Sequence, residues 1–131
     1  MSIIGLNHFN LRASRPLLEQ LKAFYCGVLG LAQGERPSLG SAGYWLYGGT
    51  VCVLHLSEAA HDEDRSASVA TTFDHVAFTC TDRPEMEARL KRNNIAFRVA
   101  TVPVLSITQL FLQDPAGNGV ELSFKETEIP R

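Results

Sequence analysis

Two stretches of this 131-residue chain return further along at one fixed spacing, and that repetition limits the folds open to it. Leu6-Asn7-His8-Phe9-Asn10-Leu11 shares its pattern with Phe73-Asp74-His75-Val76-Ala77-Phe78: an apolar residue, Asn or Asp, His, then alternation, 67 positions later. Val53-Leu54-His55-Leu56-Ser57 pairs with Gly119-Val120-Glu121-Leu122-Ser123 at a spacing of 66. Two independent pairs agreeing within one residue predict one structural unit used twice.

The order of elements within each half agrees. Residues 3–12 alternate as a strand does, with His8, Asn10 and Arg12 on one face and Phe9 and Leu11 on the other. From Arg15 to about Leu29, Leu17, Leu18, Leu21, Phe24, Tyr25 and Val28 fall on one helical stripe. Ser14 is placed to cap this helix, Pro16 suits its first turn and Gly30 its stop. Short strands are expected at 31–35, 42–47 and 50–57, with Gly48-Gly49 as a turn. The second half predicts a strand at 72–80 and a helix over Pro84 to Asn93 capped by Thr81 or Asp82, with Met86 and Leu90 inward. Strands at 95–101, 106–113 and 118–124 follow, the last entered through the turn Asp114-Pro115-Ala116-Gly117-Asn118. Each module therefore reads β-α-β-β-β: module one over about 1–58, a polar linker over about 58–71, and module two over about 72–126, within a single domain of 1–131.

Composition narrows the function classes. With 45% apolar residues the chain can fill a core of its own, and a net charge of −2 with pI near 6.1 gives no electrostatic case for nucleic acid or an anionic membrane. No apolar run approaches the roughly 18 residues that a membrane-spanning helix needs. The three cysteines, Cys26, Cys52 and Cys80, are odd in number and lie in apolar stretches, as buried free thiols of a reducing compartment do. The N-terminus shows no basic segment leading into a long apolar one, so no signal peptide is expected and the expected location is cytoplasmic.

The chemistry-bearing residues sit at the repeated positions. His8, His55, His75 and Glu121 occupy corresponding strand positions in the two modules. A lone strand histidine is more often a hydrogen-bonded structural residue than a ligand, and a glutamate between Val120 and Leu122 could face solvent. Yet three of the four histidines fall on the repeat, and the fourth repeated position is a carboxylate; His61, in the polar linker, is expected to be solvated. Imidazole with carboxylate suits Fe, Mn, Ni, Zn or Co, and two histidines with one carboxylate leave coordination positions open, as a catalytic metal requires. No Cys-x-x-Cys spacing supports a closed structural zinc site. His8, His75 and Glu121 are thus the candidate metal ligands, and His55 is a fourth ligand, a general base or a hydrogen-bonding residue of the pocket.

These residues carry a resemblance. Leu6-Asn7-His8-Phe9, Phe24-Tyr25-Cys26-Gly27-Val28-Leu29-Gly30-Leu31, Phe73-Asp74-His75-Val76-Ala77-Phe78 and above all Gln109 to Phe124 resemble the vicinal oxygen chelate superfamily, which includes glyoxalases, bleomycin-resistance proteins and dioxygenases. The resemblance covers nearly the whole chain. It implies an α+β fold of two β-α-β-β-β modules forming a cupped eight-stranded mixed sheet, one divalent metal, a small-molecule substrate and a homodimer. It places the opening ligands on His8 and His75 and the closing one on Glu121. Where glyoxalases carry Glu or Gln at the closing position of module one, this chain has His55, which argues against a simple glyoxalase I.

Period-two alternation puts Asn10, Arg12, Val53, Ser57 and Thr79 beside the ligands, and the resemblance turns Gln109 and Phe111 toward substrate. One face of the strand carrying Tyr44, Trp45 and Tyr47 should join them. The expected substrate-binding residues are Asn10, Arg12, Trp45, Thr79, Gln109 and Phe111, with His55 and Glu121 catalytic. The expected protein is a metal-dependent lyase, isomerase or extradiol-type dioxygenase acting on a vicinal-oxygen substrate. The competing expectation is a metal-free, bleomycin-resistance-like binding protein.

Overall fold

A computed structural model describes residues 2–126; Met1 and residues 127–131, which the 1–131 domain reading also covers, lie outside the described residues. The chain divides between Ser66 and Ala67 into two compact units, each taken by itself below as module one and module two.

Module one contains β1 (Phe9–Ala13), α1 (Arg15–Lys22) running on into a π-helical turn (Ala23–Val28), β2 (Ala32–Gly34), β3 (Gly43–Gly48) and β4 (Val51–Glu58). Its strands lie in the order β1-β4-β3-β2, with β1 parallel to β4 and the other pairs antiparallel. Module two contains β5 (His75–Cys80), α2 (Arg83–Arg92), β6 (Arg98–Val102), a 3₁₀ turn (Pro103–Leu105), β7 (Ile107–Gln113) and β8 (Gly119–Lys125). Its order is β5-β8-β7-β6, with the same parallel and antiparallel pairs. The eight strands thus form two four-stranded mixed sheets of one topology.

One face of each sheet makes the core. In module one Leu46, Leu54 and Leu56 of the sheet and Leu18, Leu21 and Tyr25 of the helical segment are all essentially inaccessible, and α1 packs against β4. In module two Leu110, Val120, Leu122 and Phe124 line the apolar face, and α2 buries Met86 and Leu90. Burial of this kind is worth roughly 1.5–3 kcal/mol per large side chain, so the apolar faces set each strand's register. The opposite faces are left for other work.

Several element ends differ from the sequence reading for local reasons. β1 begins at Phe9 rather than residue 3: its ladder with β4 starts at Phe9↔Leu54, and Ile3, Ile4 and Leu6 are 84–98% exposed. Alternation without a pairing partner does not make a strand, so His8 stands just before β1. β5 likewise begins at His75, after the Phe73 amide has donated to the Thr71 hydroxyl at 3.2 Å. Ser14 occupies the cap position of α1, but its hydroxyl makes no capping bond. Asp82 does cap α2: its Oδ1 accepts from the Glu85 amide, at a left-handed φ of 60°. All three cysteines are free, and they are half-buried rather than fully buried.

Candidate functional site

Cross-strand partners in a sheet project from the same face, so the registers read out which residues stand together. In module one the row is Gly34↔Trp45↔His55↔Asn10, with Ser57 opposite Arg12 one step along. In module two it is Arg98↔Phe111↔Glu121↔Ala77, with Gln109, Ser123 and Thr79 one step along. The same face thus carries an aromatic ring beside His55 in one module and beside Glu121 in the other.

Around His55 three rings stack. The Trp45 ring lies 4.1 Å from His55 at an interplanar angle of 5°, and the His8 ring lies 3.6 Å from His55 at 19°. His8 is held from behind, since its Nδ1 bonds Asn7 Oδ1 at 2.7 Å. With Nδ1 as the donor, Nε2 is left as the free lone pair. Burial, then the neighbouring His8 and the positive charge of Arg36, lower the His55 pKa below its ordinary value. Its ring is therefore neutral near pH 7 and able to take a proton or a metal.

Module two repeats this device. His75 Nδ1 bonds Asp74 Oδ2 at 2.7 Å, and Asp74 is the residue equivalent to Asn7. The other ring nitrogen, Nε2, lies 3.3 Å from Glu121 Oε1. The Glu121 side chain is only 12% exposed, and a buried carboxylate needs a cationic, protonated or metal partner. The Asp74 hydrogen bond, opposed in part by desolvation and assisted by Glu121, raises the His75 pKa. Phe111 meets the His75 ring edge-on at 5.9 Å. An open cleft of about 490 Å³ lies here, with His75, Asp74, Phe111 and Arg98 in its wall.

The remaining site expectations divide. Asn10 accepts from the Ser57 hydroxyl at 2.9 Å on the His55 face, and Trp45 joins the ring stack. Thr79 and Gln109 are both opposite Ser123, on the Glu121 face. Arg12 is committed elsewhere: its Nε donates to both Glu63 oxygens, at 2.8 and 2.9 Å, tying the linker to β1. Of the other aromatics on β3, Tyr44 donates to Glu19 at 2.6 Å under the Lys22 ammonium, on the helix side, and Tyr47 donates to the Glu35 carbonyl. Among the described residues, no three His, Cys, Asp or Glu side chains are grouped closely enough to hold a metal. The donors stand as two pairs, His8 with His55 and His75 with Glu121. Sequence reasoning missed the orienting role of Asn7 and Asp74, although their place directly before each histidine was the signal. It also missed Arg98.

The family model for the Glyoxalase/Bleomycin resistance protein/Dioxygenase superfamily matches residues 5–122. The chain belongs to that superfamily. No curated protein matches it by sequence. Among solved structures it is similar to a glyoxalase-family protein from Bacillus anthracis, with 21% identity, a TM-score of 0.71, and 96% of this chain and 98% of that chain covered. It is similar to lactoylglutathione lyase from Agrobacterium tumefaciens at 22% identity and a TM-score of 0.64, covering 95% and 96% of the two chains. It is also similar to TnmS3, an antibiotic-binding protein from Streptomyces sp. CB03234, at 19% identity and a TM-score of 0.66, covering 96% and 99%. At these identities the likeness establishes the fold, which here carries both an enzyme and a binding protein. Among the described residues no helix is long and apolar enough to cross a membrane.

Proposed function

We propose that this superfamily member is a divalent-metal-dependent enzyme acting on a small substrate with two neighbouring oxygens, with His8, His75 and Glu121 as the metal ligands. The observation that carries the reading is the duplicated orientation of the two opening histidines. Each ties Nδ1 to the side-chain oxygen of the residue before it, at 2.7 Å, which leaves Nε2 as the nitrogen for other donors and acceptors; in His75 that nitrogen faces Glu121 Oε1 at 3.3 Å. Ligand histidines are commonly oriented by such an outer hydrogen bond, which fixes the tautomer and raises ring basicity. Two imidazoles and a buried carboxylate fit Fe, Mn, Ni, Zn or Co.

When bound, such an ion stabilises negative charge developing on the substrate oxygens. Glu121 holds its carboxylate out of water beside His75, which keeps that oxygen available as a donor. His55, neutral at working pH and flanked by Trp45, is the base that takes a proton from substrate and returns it. Trp45 and Phe111 supply the apolar walls and Asn10 a hydrogen-bonding edge. The chain works in the cytoplasm as a homodimer, to be tested by sedimentation equilibrium: a monomer at all micromolar concentrations would remove that part of the reading.

A second reading, metal-free sequestration of a ligand on the same aromatic faces, is favoured by the stacked rings of Trp45, His55 and His8. Metal binding separates the two readings. Trp45 is the only tryptophan and stacks on His55, so titration with Mn, Fe, Co, Ni or Zn should change its fluorescence with a one-to-one endpoint. His75→Ala and His8→Ala should lose the endpoint. If the unaltered protein binds none of the five metals, the enzyme reading fails and sequestration stands.

A further inference from the structure

Arg98 is placed where the fold does not need an arginine. At the same register position module one has Gly34, where even a Cβ would run into the Tyr47 ring at 2.6 Å. The repeat therefore accommodates a residue with no side chain there, and module two alone carries a cation. Six other described arginines, Arg12, Arg15, Arg65, Arg83, Arg89 and Arg92, lie within ion-pair distance of a glutamate. Arg36 has no such carboxylate but donates to the Ser41 carbonyl and hydroxyl. Among the described residues no carboxylate reaches Arg98.

The guanidinium is nevertheless positioned. Its Cζ sits 4.5 Å from the centroid of the Phe111 ring, a cation–π contact that holds the guanidinium over the ring. The side chain forms part of the cleft wall. The other full charge in that wall, Asp74, is already bonded to His75 and belongs to the opposite edge of the sheet. β5 and β6 are separated by three strand spacings, roughly 14 Å at the backbone. The cleft thus has an imidazole–carboxylate end and a cationic end, with Phe111 between them.

We propose that Arg98 is the carboxylate-binding residue of this cleft, holding an anionic group of the ligand by paired N–H···O bonds while the rest of the molecule extends over Phe111 toward His75. The assignment rests on the reading of the His75 end as the substrate site. It deepens that reading by narrowing the substrate class to small molecules bearing a carboxylate remote from the vicinal oxygens.

Benzoate and its uncharged analogue benzamide test it on the full chain, followed by chemical shifts of the Phe111 and Gly119 amides. Benzoate should bind at least tenfold more tightly than benzamide, and Arg98→Met should abolish that preference without altering benzamide binding. Arg98→Lys, which keeps the charge and loses the fork, should fall between, and it keeps the test sound if the Met variant folds poorly. His75→Ala should lose metal and keep the benzoate preference, so failure of the metal reading is distinguishable from failure of this one. Equal binding of benzoate and benzamide to the unaltered protein, or an unchanged preference in both Arg98 variants, overturns the proposal.

Discussion

The histidines of this protein are defined as much by their neighbours as by their own rings. His75 carries a pKa raised first by its bond to Asp74, so two opposite pH dependences follow. In the metal-free protein the His75–Asp74 interaction contributes stability that is fully present below the ordinary histidine pKa of 6.5, and is lost as pH rises through the higher folded value. Metal uptake has the opposite sign, because the proton must leave first: affinity should strengthen as pH climbs through the range above 6.5. Asp74→Asn should bring the His75 pKa down in an NMR titration and weaken metal binding by about 10–100-fold, the usual cost of losing an outer partner. An unchanged metal affinity would show that Asp74 only decorates the ring. For His55, replacement by Gln should leave the Trp45-detected metal endpoint in place while turnover falls by about 10²–10⁴-fold, the span of a lost acid–base group; loss of the endpoint would make it a ligand instead. The four positions themselves were legible because duplication singles them out from other polar strand residues. That Arg12 is spent on Glu63 was not, since the partners lie 51 residues apart and no local pattern joins them.

At the scale of elements, periodicity placed every strand and both helices, and it failed at ends where a partner decides. β1 loses its first residues because β4 offers no pairing beyond Phe9↔Leu54. The helix after Arg15 widens into a π-helical turn over Ala23–Val28, which the apolar stripe cannot reveal because it survives the change of winding. The linker read as plain polar surface, yet Glu63 accepts from Arg12 and Arg65 and from the Ala60 amide. Those bonds, the Arg12 one first, lower the Glu63 pKa from 4.5 to about 2. The stability they contribute is therefore present above pH 4.5 and is lost as pH falls through about 2. Glu63→Gln should speed proteolytic cutting in the Glu58–Ala70 segment at neutral pH, with little change in the global melting temperature, as befits a half-buried pair that ties down only a local segment. The two faces of the module-two sheet should respond unequally. Leu110→Ala, at a fully buried position, should cost about 2–5 kcal/mol in denaturant unfolding. Thr79→Ala, on the exposed face, should stay within about 0.5 kcal/mol.

Across the whole molecule, the superfamily match and the duplicated registers describe one pattern: a module used twice and then altered at a few positions. His55 stands where module two has Glu121, and Gly34 where it has Arg98. These exchanges leave Leu54, Leu56, Val120 and Leu122 in the apolar faces, so site chemistry can diverge without disturbing the packing beneath. A metal that binds only the folded chain adds to the stability of the whole. At a hundredfold excess over its dissociation constant the gain is about 2.7 kcal/mol, enough to raise the melting temperature by several degrees. No rise with any of the five metals, in the unaltered protein, would count against a folded-state site.

The parallel pairing of the first and last strands also bears on how the chain matures during synthesis. Phe9 finds its partner only in Leu54, and His75 only in Gly119. Each sheet's opening strand must therefore wait, with neither edge paired, until some 45 further residues have left the ribosome. At a typical elongation rate of about 5–20 residues per second, that wait lasts seconds. The first module can close before the strands of the second exist. Late in each half, translation rather than the speed of pairing sets when the pairing edge of the opening strand ceases to be exposed to other chains.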